Sequence, residues 1–327
     1  MAKELIKVST RFNDELQGYA WTIKKPIGNV VIVTGMEEHS ERYDDFALFL
    51  NKNGYNVYCL DHYGQGLTAG SEDKLGIVPK SFFSKSVKNI DDIVTSCRVS
   101  LLPTYIFAHS MGSFMLQDYI QRFTDHVNKV IICGSNGPNA KLSYKAGKLM
   151  AKLTMRKKTR NDKAKFMNNF IFGMYKKSVK NHKTDFDWLS VNEENVQKYI
   201  KDPYCGYTST KGFYYEFMKG CNRLYKKQFL KKIRKDMNVL LIAGREDPVG
   251  AKGKGVLKLA KMYRHLGLEN VQCHIYDGMR HEILNEEGKD QVYNDILAFL
   301  QEPCPPAEAL LVKEKEAPVE EQPHEEI

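Results

Sequence analysis

Three side chains, each placed just after an apolar run, could together perform nucleophilic catalysis. Ser110 follows the β-branched and aromatic run at 104–108 and precedes a stretch with helical apolar spacing at Met111, Phe114, Met115, Tyr119 and Ile120. A serine in such a strand-to-helix turn projects its Oγ above the end of a sheet, beside a helix N-terminus. Small residues two before it (Ala108) and two after it (Gly112) let strand and helix approach while the serine takes strained dihedrals. A serine hydroxyl is a poor nucleophile until a base takes its proton, and the base needs a partner that fixes its tautomer. Asp247 follows the run at 237–243, and His281 follows the run at 270–276. Each alone would read as a loop residue; at strand ends and in this order they read as a nucleophile, an orienting acid and a base. An oxyanion site needs two backbone N–H donors. Met111, next to the nucleophile, supplies one, and Met36, in the loop after residues 29–34, is the candidate for the other, although Gly35 beside it would equally serve a plain tight turn. This chemistry requires no metal and no organic cofactor.

The elements that must hold these groups alternate. Residues 5–9 and 16–23 read as an antiparallel edge, and 29–34, 55–60, 104–108 and 128–133 as buried parallel strands. Helical spacing fills 40–53 and 85–100 between them. Strand and helix in alternation argue for a doubly wound, mostly parallel α/β sheet that binds ligands at the carboxyl ends of its strands. The alternation stops after Gly134. From 139 to 236 only helical apolar patterns occur, at Leu142, Ala146, Leu149, Met150 and Leu153, at Met167, Phe170, Ile171 and Met174, and at Tyr214, Phe217, Met218, Cys221 and Leu224. Sheet and helix signals then resume at 237–243, 255–266, 270–276 and 292–300. The expected organisation is a core at 1–138 and 237–301, a helical insertion at 139–236, and an acidic tail at 302–327, whose eight glutamates and five prolines cannot offset ordering entropy.

The 327 residues carry a net charge of +9, concentrated in the insertion, where residues 141–235 hold twenty-five Lys and Arg against seven Asp and Glu. A basic block of this kind fits an anionic partner such as a membrane surface, or is simply a solvated helical face. No recognisable nucleic-acid-binding motif accompanies it, which argues against nucleic acid. No run of eighteen or more apolar residues occurs, and the first residues are too polar for a signal peptide, so a cytoplasmic protein is expected. Seven cysteines without a C-x-x-C pair are expected to be reduced thiols.

The order Ser110, Asp247, His281 and the turn around Ser110 resemble the α/β-hydrolase fold. More specifically, residues 35–43, Gly-Met-Glu-Glu-His-Ser-Glu-Arg-Tyr, are similar to the H-G-x-G-E-H-S-x-R-Y stretch of monoacylglycerol lipases and lysophospholipases, grouped with a serine aminopeptidase-like hydrolase family. Residues 61–70 resemble that family's D-x-R-G-H-G-x-S-x-G, with Tyr63 for Arg, Gln65 for His and Thr68 for Ser. His109-Ser110-Met111-Gly112, Asp247-Pro248-Val249, residues 281–286 and the cap motif Phe186-Asp187-Trp188-Leu189-Ser190 match as well. Thr34 stands where the family has the first His, and Glu37 where a Gly is common.

The resemblance implies a serine hydrolase cleaving carboxylic esters of monoacylated lipids, with Ser110, Asp247 and His281 catalytic, the Met36 and Met111 N–H groups at the oxyanion, and a small-molecule lipid ester as partner. It also admits an aminopeptidase, with Glu37 or Glu38 receiving a substrate α-amine, and a non-catalytic binding protein on the same scaffold. Glu37 is expected either to oppose charge at the oxyanion site or to turn to solvent.

Overall fold

Successive side chains of a strand point to opposite faces, and that period of two builds the two faces of one sheet. The computed structural model describes residues 2–97 and 102–304. In it β1 (Ala2–Ser9) and β2 (Glu15–Thr22) form an antiparallel pair. Then come β3 (Gly28–Val33), β4 (Tyr55–Leu60), β5 (Thr104–His109), β6 (Lys129–Cys133), β7 (Asn238–Gly244) and β8 (Asn270–Tyr276). The spatial order is β1-β2-β4-β3-β5-β6-β7-β8, and every pair beyond β2–β4 is parallel. After β4 the chain crosses to the other side of β3, so strand order reverses between β3 and β5. Ligands of open α/β sheets bind at that point, outside the carboxyl ends, and it is there that the loop bearing Met36 and the turn bearing Ser110 lie side by side.

The helices are α1 (Asp44–Lys52), α2 (Gly66–Ala69), α3 (Phe82–Cys97), α4 (Met111–Tyr119), α5 (Lys141–Thr154), α6 (Lys165–Ser178), α7 (Glu193–Lys201), α8 (Lys211–Cys221), α9 (Lys227–Leu230), α10 (Lys254–His265) and α11 (Lys289–Gln301). Val30, Ile32, Phe107, Ile131 and Leu240 pack under α1 and α11, while their neighbours Val31, Val33, Ile106, Val130 and Val239 pack under α3, α4 and α10. Both faces of the central strands are therefore dry. Burying each such side chain contributes about 1.5–3 kcal/mol, which is why these runs carry no polar alternation. Buried Lys129 is explained by a helix end: its Nζ donates to the carbonyls of Phe299 (2.6 Å), Leu300 (3.2 Å) and Glu302 (2.6 Å), capping the C-terminus of α11.

Helices α5 to α9 occupy the stretch between β6 and β7, with α8 packed on α5 and α3. The sequence pattern missed α7, whose apolar side is only Val196 and Tyr199. Its signal lies in Asn192, whose side chain accepts from the N–H groups of Glu194 (3.0 Å) and Asn195 (3.3 Å) as an N-cap. Helix α5, expected from its apolar spacing, divides those residues between two sides. Its five apolar residues do not form one buried stripe: Met150 lines the internal cavity, whereas Leu142, Leu149 and Leu153 are 77%, 59% and 77% exposed. They fall on the opposite side from buried Tyr144 and Ala151, so the helix is apolar on two faces. The segment expected at 85–100 is helical from Phe82 to Cys97, and residues 98–101 fall outside the described residues, as does the expected acidic tail from residue 305. All seven cysteines are free thiols. Among the described residues no helix is long and apolar enough to cross a membrane.

Candidate active site

Ser110 is held in a conformation that few residues adopt, with φ 50° and ψ −117° at the N-cap of α4. Such strain costs on the order of 1–3 kcal/mol and persists where surrounding structure over-determines it. Here two contacts do so: the Ser110 N–H donates to the Cys133 carbonyl at 3.0 Å, and α4 is drawn tight against β3. A Cβ at Gly112 would meet the Val33 and Thr34 carbonyl oxygens at 2.5 and 2.6 Å, so this position admits glycine alone. The small residue read from the sequence has a definite steric reason.

His281 and Asp247 stand on the next strand ends. His281 Nδ1 lies 3.0 Å from Asp247 Oδ1, which also accepts from the Val249 N–H at 2.8 Å, and both side chains are almost wholly buried. The carboxylate thus fixes the ring so that Nε2 is the free nitrogen. Nε2 has no hydrogen-bond partner among the described residues. Gly134, at φ 60°, leaves room for the ring, since a Cβ there would approach His281 Cε1 to 3.1 Å. Ser110, His281, Met36 and Met111 all line one cavity of about 430 Å3. Met111 is the first residue of α4, so its N–H has no intrahelical acceptor. The candidate residues named from the sequence therefore meet in one place.

The cavity runs between the sheet and the helices after β6. Its walls include Phe114, Met150, Phe170, Met174, Phe217 and Met218. The segment around Trp188 closes it over the histidine, with the Trp188 ring 5.2 Å from that of His281. This segment is clipped to the His281 loop. Arg280 donates to the carbonyls of Asp187 (2.6 Å) and Ser190 (3.0 Å), the Glu282 N–H donates to the Leu189 carbonyl (2.7 Å), and Glu286 accepts from the Ser190 hydroxyl at 2.6 Å.

The loop after β3 is fastened from below. Gln65, in place of the family's histidine, donates to the carbonyls of Gly35 (2.8 Å) and Glu38 (3.2 Å). Asp61 accepts from the N–H groups of Ser40 and Leu67, both at 2.7 Å. Thr34, where the motif has histidine, is buried with its hydroxyl unpartnered among the described residues. His39 Nε2 bonds Asp202 Oδ2 at 2.8 Å, with Cys205 close by; this is the one trio of potential metal donors among the described residues, and two of its members already satisfy each other.

Glu37 meets neither expectation. It lies outside the cavity lining and outside solvent, in the left-handed region at φ 59°, with its carboxylate accepting from the Ser209 N–H (3.1 Å) and Oγ (2.8 Å). Burial pushes its carboxyl up to about 8, against the two Ser209 bonds and nearby Lys163. Glu38 does line the cavity, but its carboxylate is taken by the Gly35 N–H, Tyr43, Arg42 and His109. Neither carboxylate stands free to receive a substrate amine.

The Glu37 geometry has a thermodynamic consequence. A carboxyl raised from 4.5 to about 8 keeps a proton in the folded state that the unfolded chain has already released, so stability falls as pH rises through that window and levels off above it. Glu37→Gln lacks the titration. Its melting temperature relative to wild type should therefore climb by several degrees between acidic and mildly alkaline pH, on the order of 2 °C per kcal/mol. An offset that is the same at every pH, read by thermal unfolding, would show that Glu37 does not titrate in this range.

Comparison with known proteins follows the same lines. Residues 24–288 match the family model described as serine aminopeptidase, S33. The monoacylglycerol lipase of Mycolicibacterium smegmatis is 21% identical over 278 residues, covering 84% of this chain and 88% of that protein. Three other curated relatives, among them phospholipase YtpA of Bacillus subtilis at 24% identity, match over 104 to 127 residues, so the chain spans 13% to 38% of their lengths. Among solved structures, a thermostable carboxyl esterase from Bacillus coagulans in complex with glycerol superposes with a TM-score of 0.80 at 26% identity, covering 92% of this chain and 98% of that one. With a mostly parallel eight-stranded sheet and a family match over most of its length, the chain is an α/β-hydrolase and belongs to the serine aminopeptidase S33 family of hydrolases.

Proposed function

We propose that this chain is a serine ester hydrolase for monoacylated lipids, a monoacylglycerol or a lysophospholipid, working through an acyl-enzyme. Ser110 attacks the ester carbonyl as His281 Nε2 takes its proton. Asp247 orients the imidazole and offsets the charge that forms on it. The Met36 and Met111 N–H groups receive the oxyanion, the protonated His281 gives its proton to the departing alcohol, and water then frees the acid by the same route.

The observation that carries the reading is the cavity. Its volume of about 430 Å3 lies within the usual range for small-molecule sites, about 300–1,000 Å3. About half of its lining residues are aromatic or methionine, and Ser110 and His281 are among a minority of polar side chains that line it. Such a shape favours one flexible apolar chain with its ester at the polar end. On this reading residues 139–236 act as a cap. Its outer side, with Leu142, Leu149 and Leu153 on α5 and Phe166, Phe170 and Met174 on α6, exposes apolar groups among lysines. Phe170 and Met174 also line the cavity, so the apolar surface is continuous with the site. An anionic bilayer is the partner that suits this surface.

The reading is tested by a panel of monoacylglycerols, lysophospholipids and aminoacyl amides assayed with wild type and Ser110→Ala, together with labelling by a fluorophosphonate. Turnover of the acyl esters and labelling that depends on Ser110 are expected. Preference for aminoacyl amides would move the assignment to a peptidase, and absence of labelling would move it to a binding protein.

A further inference from the structure

His109, the residue before the candidate nucleophile, is buried, and both of its ring nitrogens face acceptors. Nδ1 lies 3.2 Å from Glu38 Oε1, and Nε2 lies 3.3 Å from the carbonyl oxygen of His281. A carbonyl oxygen only accepts, so Nε2 must carry a proton. Glu38 must be ionised, because its carboxylate is surrounded by donors: the Gly35 N–H, the Tyr43 hydroxyl (2.8 Å) and the Arg42 guanidinium (3.1 Å). An ionised carboxylate also only accepts, so Nδ1 must carry a proton too. A neutral imidazole would leave one of these buried contacts unmade.

We infer that His109 is an imidazolium at neutral pH and serves the proposed reaction as a positioning residue, a buried cation that binds the oxyanion loop, the nucleophile turn and the His281 loop into one unit. The inference rests on the ester-hydrolase reading for its catalytic consequence, though not for the charge itself. Glu38 fixes the N–H of Gly35, beside the Met36 donor, while His109 fixes the backbone of His281 itself. Charges around the ring are balanced. Glu38 and Arg42 face it from the loop after β3; Glu282, bonded by Arg42 at 2.6 Å, and His281 face it from the loop after β8; the Cys133 thiol faces it from β6, kept neutral by burial. Two carboxylates thus meet one guanidinium and one imidazolium. Titration agrees in direction on both sides of the pair: the ion pair holds the Glu38 carboxyl down at about 2 against its burial, and the same partner raises His109 against its own.

The charge has a use in the mechanism. The His109 and His281 rings are 4.6 Å apart between centroids. The cation thus packs against the proposed base itself, and through the His281 carbonyl it holds that residue's backbone in place.

Imidazole nitrogen NMR of uniformly 15N-labelled wild type reads the proposal directly. At mildly alkaline pH, well above the ordinary histidine value of about 6.5, both His109 nitrogens should carry protons, and in Glu38→Gln one should lose its proton. A singly protonated His109 ring in wild type would overturn the proposal whatever the enzyme does. The positioning role is read from His109→Gln. Its kcat on a monoacyl ester should fall while KM stays within about twofold, because the loops that the cation joins carry the proposed base and oxyanion donors rather than the walls of the acyl cavity. An unchanged kcat, or a rise in KM as large as the fall in kcat, would reduce His109 to a packing residue. Loss of hydrolysis by wild type on every ester would count against the function proposed above, and the nitrogen spectra would still decide the charge.

Discussion

Ser110→Ala is expected to lower kcat on a monoacyl ester by roughly 10⁶-fold, and His281→Ala by a similar factor, while Asp247→Asn retains a trace near 10⁴-fold down. The ranking follows from the geometry. In the proposed reaction Ser110 forms the covalent bond, from a turn held at φ 50° by the close approach at Gly112 and the Cys133 carbonyl. His281 Nε2 is the free nitrogen of a ring already bonded through Nδ1. In the same proposed reaction Asp247 acts on that ring rather than on substrate; in the asparagine variant the amide can donate to Nδ1 and turn the free nitrogen into the wrong tautomer. Because the three act as a unit, the double variant Ser110→Ala with His281→Ala should be no slower than either alone. Fluorophosphonate labelling supplies a second readout: it should vanish in Ser110→Ala, collapse in His281→Ala and weaken in Asp247→Asn. Full turnover by Ser110→Ala would sink the assignment of the nucleophile.

These residues were legible in the sequence because each lies at the end of an apolar run, and such runs are a local signal. The run at 104–108, buried on both faces, could hardly be anything but a central parallel strand, so the residue after it had to face the ligand crevice. The helices after β6 were legible as helices for the same reason. What the pattern could not give was pairing between distant side chains. Arg42 and Glu282 are in contact across most of the chain, and nothing periodic joins them. His109 was visible only as part of a motif, since its two acceptors come from Glu38 and from the His281 backbone. Glu37 was placed wrongly because its partner, Ser209, comes from the far side of the insertion. Helix α7 was missed because four of its nine residues are charged and two are buried apolar residues, so its sequence resembles a loop. The α5 stripe was legible as an apolar helical face, but the pattern does not say what covers such a face, and the covering partner need not be protein.

That last point leads to the second large effect. Replacing Lys145, Lys148 and Lys152 with Gln is expected to weaken binding to anionic liposomes at low salt by about 3 kcal/mol, at roughly 1 kcal/mol per lysine near the surface, or somewhat more than 100-fold. The lysines alone would fit a solvated face. What distinguishes α5 is that Leu142, Leu149 and Leu153 lie exposed beside them, and that Phe166, Phe170 and Met174 extend the apolar surface onto α6. Leucines in water gain by entering an acyl boundary, and lysine stems can lie along the same surface with their ammonium groups among phosphates. Each kind of group should then leave its own signature. Binding should fall with added salt through the lysines, whereas Leu142→Ser with Leu153→Ser should weaken it at every salt concentration. Both variants alter only groups outside the cavity lining. Hydrolysis of a short soluble ester should therefore persist in each, while hydrolysis of a bilayer-held monoacyl lipid falls in step with co-sedimentation. Equal binding of wild type to neutral and anionic liposomes, or binding to neither, would leave α5 as a roof over the cavity whose outer leucines have no lipid to meet.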